Sequence, residues 1–327
     1  MIRIGLLGAS RIAVGAVIRP AASFDQVQVH AIAARSPTRA RQYAETHGIP
    51  VTHADYAALI ASPDVDLVYN ALPPSEHEHW TIAALHAGKH VLCEKPFALS
   101  AAEAEAMVGA ARETGKVLIE AFHYRFHPLF KRVVAMIEAG TIGTVRRIDS
   151  HFNVAIACSP SEIRYERALG GGALMDLGCY PVHWTRHVVG EEPEVMSASG
   201  DWHETGVDVA MTTALAFPGG ATAHLACSMS EDQPDVLDTM LKITGDKGVL
   251  SVDNLIAPHL GHTLRVESGQ DVVAETMSLK PTYHYQLQHV IDVIDGGAPQ
   301  VTGGDDAVHT MHVINAVYRA ALGQDAS

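Results

Sequence analysis

The chain has 327 residues, of which 47% are hydrophobic and 18% are charged, so it is long enough for two domains that each bury a core. Its 37 acidic and 23 basic residues give a formal charge of −14, which disfavours nucleic acid and anionic membrane surfaces as partners. No apolar run approaches the roughly 20 residues of a membrane span, and Arg11 and Arg19 interrupt the run that a signal peptide would need.

The first part of the chain alternates short apolar runs with amphipathic segments. Runs rich in Val, Ile and Leu predict buried strands at residues 2–7, 27–33, 66–71, 90–94 and 117–119. Cap residues and terminal glycines predict helices between them at residues 36–47, 76–87 and 100–114. Strict alternation of strand and helix predicts a parallel, doubly wound sheet.

Beyond residue 122 the pattern changes to strands that alternate apolar and polar residues. Two hairpins are predicted, one pairing residues 207–217 with 221–229 and one pairing 240–244 with 249–252. Helices are predicted at residues 128–139, 173–189, 283–295 and 305–321. The sequence therefore predicts an α/β protein with an N-terminal Rossmann domain (1–122) and a C-terminal α+β domain (123–327). The second domain is expected to carry a large, mostly antiparallel open sheet.

Residues 222–229 predict how the second sheet is covered. Apolar and small or polar side chains alternate there, and the few helices can bury only one face of the sheet. A second subunit is expected on the other face, which predicts a homodimer or a dimer of dimers.

A glycine-rich turn follows the first strand. Gly8, Ser10 and Ala13 fall on the G-x-G-x-x-G/A spacing of dinucleotide-binding domains. Gly8 permits the tight turn, and the free N–H groups of the following helix suit a pyrophosphate. Ser10 departs from the pattern, and an ordinary glycine turn is the alternative interpretation.

The end of the second strand lacks the acidic residue that hydrogen-bonds a ribose 2′-OH in NAD-binding domains. Arg35, Ser36 and Arg39 would instead suit a 2′-phosphate, although Ser36 is also a helix cap and Arg39 could face solvent. The sequence predicts NADP rather than NAD as the cofactor.

Two further segments carry groups suited to hydride-transfer chemistry. Lys95 follows the strand at 90–94, at the sheet edge where open parallel sheets bind ligands. Asp176, Tyr180 and His183 share one face of the predicted helix at 173–189 and could bind a substrate hydroxyl and exchange its proton. A solvated lysine, and a helix N-terminus with a buried aromatic, are the alternative interpretations.

Together these residues resemble the glucose-fructose oxidoreductase, inositol dehydrogenase and rhizopine catabolism (Gfo/Idh/MocA) family over essentially the whole chain. The motifs that carry the resemblance are the Gly8 loop, Glu94-Lys95-Pro96, the segment 120–128, and residues 171–180. Inositol dehydrogenases have His where this chain has Tyr180. The branch of xylose dehydrogenase and dimeric dihydrodiol dehydrogenase has Tyr there and prefers NADP.

The resemblance and the strand ends together imply two sets of site residues. The cofactor is expected at Gly8, Ala9, Ser10, Arg11, Ile12, Arg35, Ser36, Arg39, Leu72, Pro73, His77, Glu94 and Lys95. The substrate is expected at Lys95, Tyr124, Arg125, His127, Asp176, Tyr180, His183 and Tyr283. Packing between the domains is an equally open role for Tyr124, Arg125 and His127.

The resemblance makes Lys95, Asp176 and Tyr180 the catalytic residues, meeting between the two domains. An unperturbed tyrosine with a pKa of ~10 is a poor base at pH 7, but a nearby ammonium would lower that pKa. Tyr180 is therefore interpreted as the acid/base, Lys95 as the group that tunes it and binds the substrate oxygen, and Asp176 as the group that orients the hydroxyl or Lys95. Lys95 and then His183 are the competing bases.

The function predicted is an NADP-dependent dehydrogenase or reductase acting on a CH–OH group of a sugar, a polyol or a cyclic diol. Reduction of a keto sugar, or nucleotide sensing without catalysis, are the alternatives. No metal is predicted, because none of the 20 histidines forms an HExxH pair. The four cysteines show no CxxC spacing, so a cytoplasmic location is expected.

Overall fold

A computed structural model describes residues 1–234, 236–269 and 271–323 of the chain. Two compact units are present. The first comprises Met1–His123 and Tyr283–Val308, and the second comprises Tyr124–Thr282 together with the chain from His309. Nowhere in these described stretches is there a helix long and apolar enough to cross a membrane.

The first unit is built on a parallel sheet, as predicted. Among the described residues it has six strands in the order β3-β2-β1-β4-β5-β6. These are β1 (Ile2–Leu7), β2 (Val27–Ala33), β3 (Val51–Thr52), β4 (Leu67–Asn70), β5 (His90–Cys93) and β6 (Leu118–Glu120). Because β1 lies between β2 and β4, the direction of winding reverses there, and this is where such sheets bind dinucleotides.

Helices connect these strands. The first is continuous over α1 (Arg11–Ala13), a π-helical turn (Val14–Ile18) and α2 (Arg19–Ala21). The others are α3 (Pro37–His47), α4 (Tyr56–Ala61), α5 (His77–His86) and α6 (Ala101–Thr114).

The caps predicted from sequence explain where α3 and α6 begin and end. The Ser36 hydroxyl accepts a hydrogen bond from Arg39 N at 3.3 Å. Ser100 accepts one from Glu103 N, and the Glu103 carboxylate accepts one from Leu99 N at 2.9 Å. Both helices end at glycines with positive φ, a conformation that glycine adopts without steric cost.

Helix α4 and strand β3 are absent from the predicted elements because both are short. Six residues span fewer than two helical turns, so α4 shows no periodicity, although Asp55 caps it by accepting a hydrogen bond from Ala58 N at 2.8 Å. Its Leu59 packs on β1, where a Cβ on Gly5 would lie 2.7 Å from Leu59 Cδ2.

The second unit is built on a mixed, mostly antiparallel sheet, which confirms the predicted fold class. Over the described part of this unit the sheet has eight strands in the order β14-β13-β12-β11-β7-β10-β9-β8, and only β7 and β10 pair in parallel. They are β7 (Val145–Asn153), β8 (Glu194–Trp202), β9 (Asp208–Ala216), β10 (Thr222–Ser228), β11 (Asp238–Gly245), β12 (Gly248–Asp253), β13 (Leu264–Ser268) and β14 (Asp271–Glu275). Both predicted hairpins are present, as β9–β10 and β11–β12.

The remaining helices complete the chain. Helices α7 (Pro128–Glu138) and α8 (Cys179–Val189) belong to the second unit, and α8 packs on β7 and β10. Helix α9 (Thr282–Ile294) buries Leu287, Val290 and Ile291 in the core of the first unit. Helix α10 (Asp305–Ala321) follows.

The predicted helix at 173–189 differs from a regular α-helix at its start. A π-helical turn occupies Leu174–Gly178, and regular α8 begins at Cys179. Asp176 therefore lies in a turn with i→i+5 geometry, and such turns frequently occur at functional sites. Apolar spacing at 3.6 residues per turn could not reveal this extra residue.

Candidate active site

The glycine turn after β1 is built for the close approach of a ligand. Gly8 has a φ of +88°, and a Cβ on it would lie 3.1 Å from Leu72 Cδ2. Its N–H donates to the Ala33 carbonyl at 2.8 Å. A side chain at this position would strain the backbone and fill the space between the ends of β1 and β4.

The helix that follows this turn begins at Ser10. Its hydroxyl accepts a hydrogen bond from Ala13 N at 3.3 Å, and its carbonyl accepts one from the Tyr43 hydroxyl at 2.9 Å. Ala9 is buried, whereas Arg11 and Ile12 are exposed. Backbone N–H groups at this end are suited to bind a phosphate, so these residues fit the pyrophosphate of a dinucleotide.

At the end of β2 the structure places Arg35, Ser36 and Arg39 together on the surface. Arg39 donates from Nη2 to the Ala9 carbonyl at 3.1 Å, which ties the start of α3 to the glycine turn. The Arg35 side chain is exposed, and no carboxylate occurs between residues 33 and 44. Two guanidinium groups and a hydroxyl, all of them hydrogen-bond donors, thus lie near one another at the end of β2.

Lys95 lies in a turn whose backbone contacts the ring of His77. The His77 ring is fully buried, with Nδ1 3.0 Å from the Pro96 carbonyl and Nε2 2.8 Å from the Leu72 carbonyl. It thereby links the loop after β4, which includes Leu72 and Pro73, to the turn after β5. Burial lowers the pKa of His77, and its polar atoms are engaged by the backbone.

Glu94 anchors the same turn on its other side. The Tyr69 hydroxyl donates to Glu94 Oε1 at 2.6 Å, and Lys95 N donates to Glu94 Oε2 at 3.3 Å. Burial raises the pKa of Tyr69 well above its ordinary value, so this hydroxyl remains a donor. Lys95 itself is only partly buried and stands at the carboxyl end of β5.

In the second unit, a buried carboxylate caps the N-terminus of the helix that carries Asp176 and Tyr180. Asp208, 1% exposed, accepts from Leu174 N at 2.7 Å and from the Tyr318 hydroxyl at 2.8 Å. Burial raises the pKa of both side chains. A carboxylate at a helix N-terminus satisfies free N–H groups and opposes the helix dipole, so Asp208 fixes the start of this helix.

Tyr180 lies in an aromatic cluster and is 4% exposed. Its ring centroid is 5.5 Å from that of Phe152, 6.0 Å from that of Tyr124 and 6.3 Å from that of Trp184. Trp184 is held in turn by a hydrogen bond from Nε1 to Ser150 Oγ at 2.8 Å. These rings restrict the orientation of the Tyr180 side chain.

His183 is fully buried one turn after Tyr180. Its Nδ1 lies 2.5 Å from the Tyr124 hydroxyl, and its Nε2 lies 3.2 Å from Nε2 of His187. The structure thus brings Tyr124 and His183 together beside Tyr180, and it places the polar atoms of His183 on other side chains of the same unit.

Three other predicted substrate residues have visible packing roles. His127 caps α7 by accepting from Leu129 N at 3.1 Å, and burial lowers its pKa to about 4. The Arg125 guanidinium carbon lies 5.4 Å from the centroid of the Phe130 ring. In the first unit, the half-buried Tyr283 packs on His123 with the ring centroids 4.1 Å apart.

Sequence reasoning missed four residues that organise these sites: Tyr69, Arg164, Asp208 and Tyr318. Arg164 donates from Nε to Asp176 Oδ2 at 2.6 Å. Tyr69, Arg164 and Asp208 each act across a gap in sequence on a predicted residue or on its helix, and Tyr318 acts through Asp208. The sequence could have indicated such residues in one way. A charged or polar aromatic residue that interrupts an apolar strand or helix pattern, such as Asp208 at the start of β9, suggests a buried polar contact.

Comparison with known proteins agrees with this architecture. Residues 2–122 match the oxidoreductase family with an NAD-binding Rossmann fold, and residues 130–251 match the GFO/IDH/MocA C-terminal domain. The chain belongs to the GFO/IDH/MocA oxidoreductase family. The resemblance noted in the sequence is thereby confirmed, and the first unit is an NAD(P)-binding Rossmann domain.

Individual relatives align over much or nearly all of the chain. D-xylose 1-dehydrogenase (NADP(+)) 2 of Haloferax volcanii is 32% identical over 97% of this chain and 96% of its own. Trans-1,2-dihydrobenzene-1,2-diol dehydrogenase of Xenopus tropicalis is 37% identical over 69% of this chain and 67% of its own. KijD10, a 3-ketoreductase from Actinomadura kijaniata crystallised with NADP and TDP-benzene, superposes with a TM-score of 0.89 at 27% identity, covering 98% of this chain and 97% of that one.

Proposed function

We propose that this family member is an NADP-dependent oxidoreductase that acts on a CH–OH group of a sugar, a polyol or a cyclic diol. The observation that carries the proposal is the position of Lys95. It stands at the carboxyl end of β5, in a turn that His77 and Glu94 hold from two sides. The similarity to xylose and dihydrodiol dehydrogenases supports this substrate class.

Each catalytic side chain has a role in this proposal. NADP, when bound, supplies the hydride acceptor. Tyr180 takes the proton of the substrate hydroxyl, and Lys95 binds the same oxygen and stabilises the tyrosinate. Asp176 orients the hydroxyl. Residues 1–122 contribute the dinucleotide site, and residues 123–327 contribute Asp176, Tyr180 and the substrate contacts at Tyr124, Arg125, His127 and His183.

A substrate screen tests the proposal directly. Purified protein is incubated with NADP and a panel of aldoses, polyols and cyclic diols, and NADPH is followed by its absorbance. We expect turnover with at least one member of the panel. Absence of turnover with every member, in both directions, would contradict the proposed activity.

Reduction of a keto sugar is the second candidate, because the 3-ketoreductase from Actinomadura kijaniata has the same fold at a TM-score of 0.89. The same side chains serve both directions, since an acid that protonates an alkoxide is the base that deprotonates the alcohol. The screen therefore includes keto sugars with NADPH, and the ratio of kcat/KM values in the two directions separates the two candidates.

The cofactor preference is expected to depend on Arg35. NADP(H) should bind more tightly than NAD(H), and Arg35→Ala should shrink this preference by roughly 1.5–3 kcal/mol, the contribution of a hydrogen bond to a charged group. Arg41→Ala is the matched control, because Arg41 is an exposed arginine of α3, the helix that follows Arg35, and its guanidinium donates to Thr38. Fluorescence titration of both cofactors measures the difference. Equal or tighter binding of NAD(H) by the wild type would rule out this assignment.

A second copy of the chain is proposed to cover the open face of the large sheet. On β10, Ala223, Leu225 and Cys227 are buried, while Thr222 and His224 on the opposite face are exposed. Small side chains there line a shallow groove and allow a close approach: Ser197, Ser199, Thr212, Ala214 and Ala226. We expect a dimer or tetramer by light scattering at micromolar concentration, and dissociation in Ala226→Arg. A monomeric wild type would refute the proposal.

A further inference from the structure

The carboxylate of Asp176 is held by an arginine of the preceding loop. Arg164 Nε lies 2.6 Å from Asp176 Oδ2, and Arg164 Nη1 lies 2.9 Å from Glu162 Oε1. The side chains of Asp176 and Glu162 are only 17% and 14% exposed, so water screens these ion pairs weakly. The Asp176 carboxylate also raises the pKa of the Arg164 guanidinium.

The backbone of Arg164 also contacts the start of the helical segment that carries Asp176. Its carbonyl accepts a hydrogen bond from Gly172 N at 2.9 Å. A Cβ on Gly171 would lie 2.5 Å from that carbonyl oxygen, so the contact requires glycine there. Side chain and backbone of one residue thus bind two successive turns of the segment that carries Asp176.

The charges around Arg164 explain why a guanidinium is needed. Two carboxylates converge on it, and its planar fork can donate to both at once. A neutral side chain would leave two poorly hydrated like charges without the cation between them. Asp176 would then turn away from the orientation that the ion pair imposes.

We propose that Arg164 is a positioning residue, which fixes the Asp176 carboxylate in the orientation that the reaction requires. This role rests on the proposed function, in which Asp176 orients the substrate hydroxyl. Arg164→Gln should lower kcat by about 10- to 100-fold, the scale of a misplaced reacting group. KM for substrate should change by no more than a few-fold and NADP(H) affinity should be unchanged, because in this role Arg164 acts only through Asp176, to which its Nε donates.

Three comparisons separate positioning from general structural damage. Arg164→Lys keeps the charge but loses the fork, so its kcat should lie between those of the wild type and Arg164→Gln. Guanidinium ion at millimolar concentration should restore part of the kcat of Arg164→Ala. Arg132→Gln is the matched control, because it breaks a two-bond ion pair with Glu275 elsewhere in the same unit and should leave kcat unchanged.

The primary deuterium isotope effect on kcat gives a further readout. If Asp176 is misplaced, hydride transfer becomes slower relative to product release, and the isotope effect should be larger in Arg164→Gln than in the wild type. A stability defect alone would lower the active fraction and leave the isotope effect unchanged.

Several results would overturn the role of Arg164. A rise in KM with kcat unchanged would show that Arg164 binds substrate directly, and kinetics equal to those of Arg132→Gln would show that it has no part. If Arg164→Gln does not fold, the kcat and KM of Arg164→Lys are compared with those of the wild type and of Arg132→Gln by the same criteria. Turnover by the wild type is measured first, so that failure of the proposed function is recognised separately.

Discussion

Tyr180→Phe is expected to lower kcat by about 10²-fold or more, the usual scale of general acid–base catalysis, while NADP(H) affinity stays nearly unchanged. The substitution removes only the ionisable hydroxyl. The ring that packs on Phe152 and Trp184 is retained, so the aromatic cluster should remain intact. Steady-state kinetics with a substrate identified in the screen measure the loss.

The pH profile then distinguishes the competing bases. A general base acts only when deprotonated, so its titration appears as the limb in which the oxidation rate rises with pH. If tyrosine titrates, this limb should vanish or move in Tyr180→Phe, and if Lys95 is the base, the limb should remain. Lys95→Ala should be at least as damaging, because it removes both the tuning charge and a substrate contact. Tyr56→Phe, in which a half-buried ring keeps its packing on Trp80, is the control. The Tyr56 hydroxyl is hydrogen-bonded to the backbone of Arg35, so the comparison is made at saturating NADP, where kcat should be retained. Normal turnover by Tyr180→Phe between about pH 6 and 10, a range that brackets the ordinary pKa values, would favour Lys95 or His183 instead.

Most of the fold was predictable, because its signals are local. Buried apolar runs and the caps at Ser36 and Ser100 place the strands and helices of the first unit, and the alternation in β9 and β10 places the second sheet. Elements without a local signal could not be found in this way. The π-helical turn at Leu174–Gly178 begins where Leu174 N donates to Asp208, and no spacing pattern contains this tertiary contact.

Strand ends and the family resemblance predict the site residues, and the roles of these residues as catalytic or binding groups remain predictions. What the sequence could not supply is the set of partners that hold them. Glu94 depends on Tyr69, 25 residues earlier, and Asp176 on Arg164, 12 residues earlier. Such pairs form only after the chain has folded, so their members are not marked by any periodicity.

The start of the helix that carries Asp176 and Tyr180 offers the clearest test of one such tertiary contact. Gly172 has a φ of +126°, a conformation that side chains of L-amino acids rarely adopt. A Cβ there would overlap Oδ1 of Asp208 and lie 2.9 Å from the Tyr318 hydroxyl. Neither neighbour can move freely, because Asp208 is hydrogen-bonded to both Leu174 N and Tyr318.

Gly172→Ala is therefore expected to lower the free energy of unfolding by about 3 kcal/mol or more, since backbone strain and overpacking each cost ~1–3 kcal/mol. Gly109→Ala is the control: Gly109 lies in α6, and a Cβ added there would meet no atom within 4 Å, so alanine should stabilise by about 0.5–1 kcal/mol. Urea denaturation measures both. In the Asp208→Ala background the cost of Gly172→Ala should be smaller, because the overlapping carboxylate is gone. Stability equal to that of the wild type in Gly172→Ala would mean that Asp208 does not occupy this position.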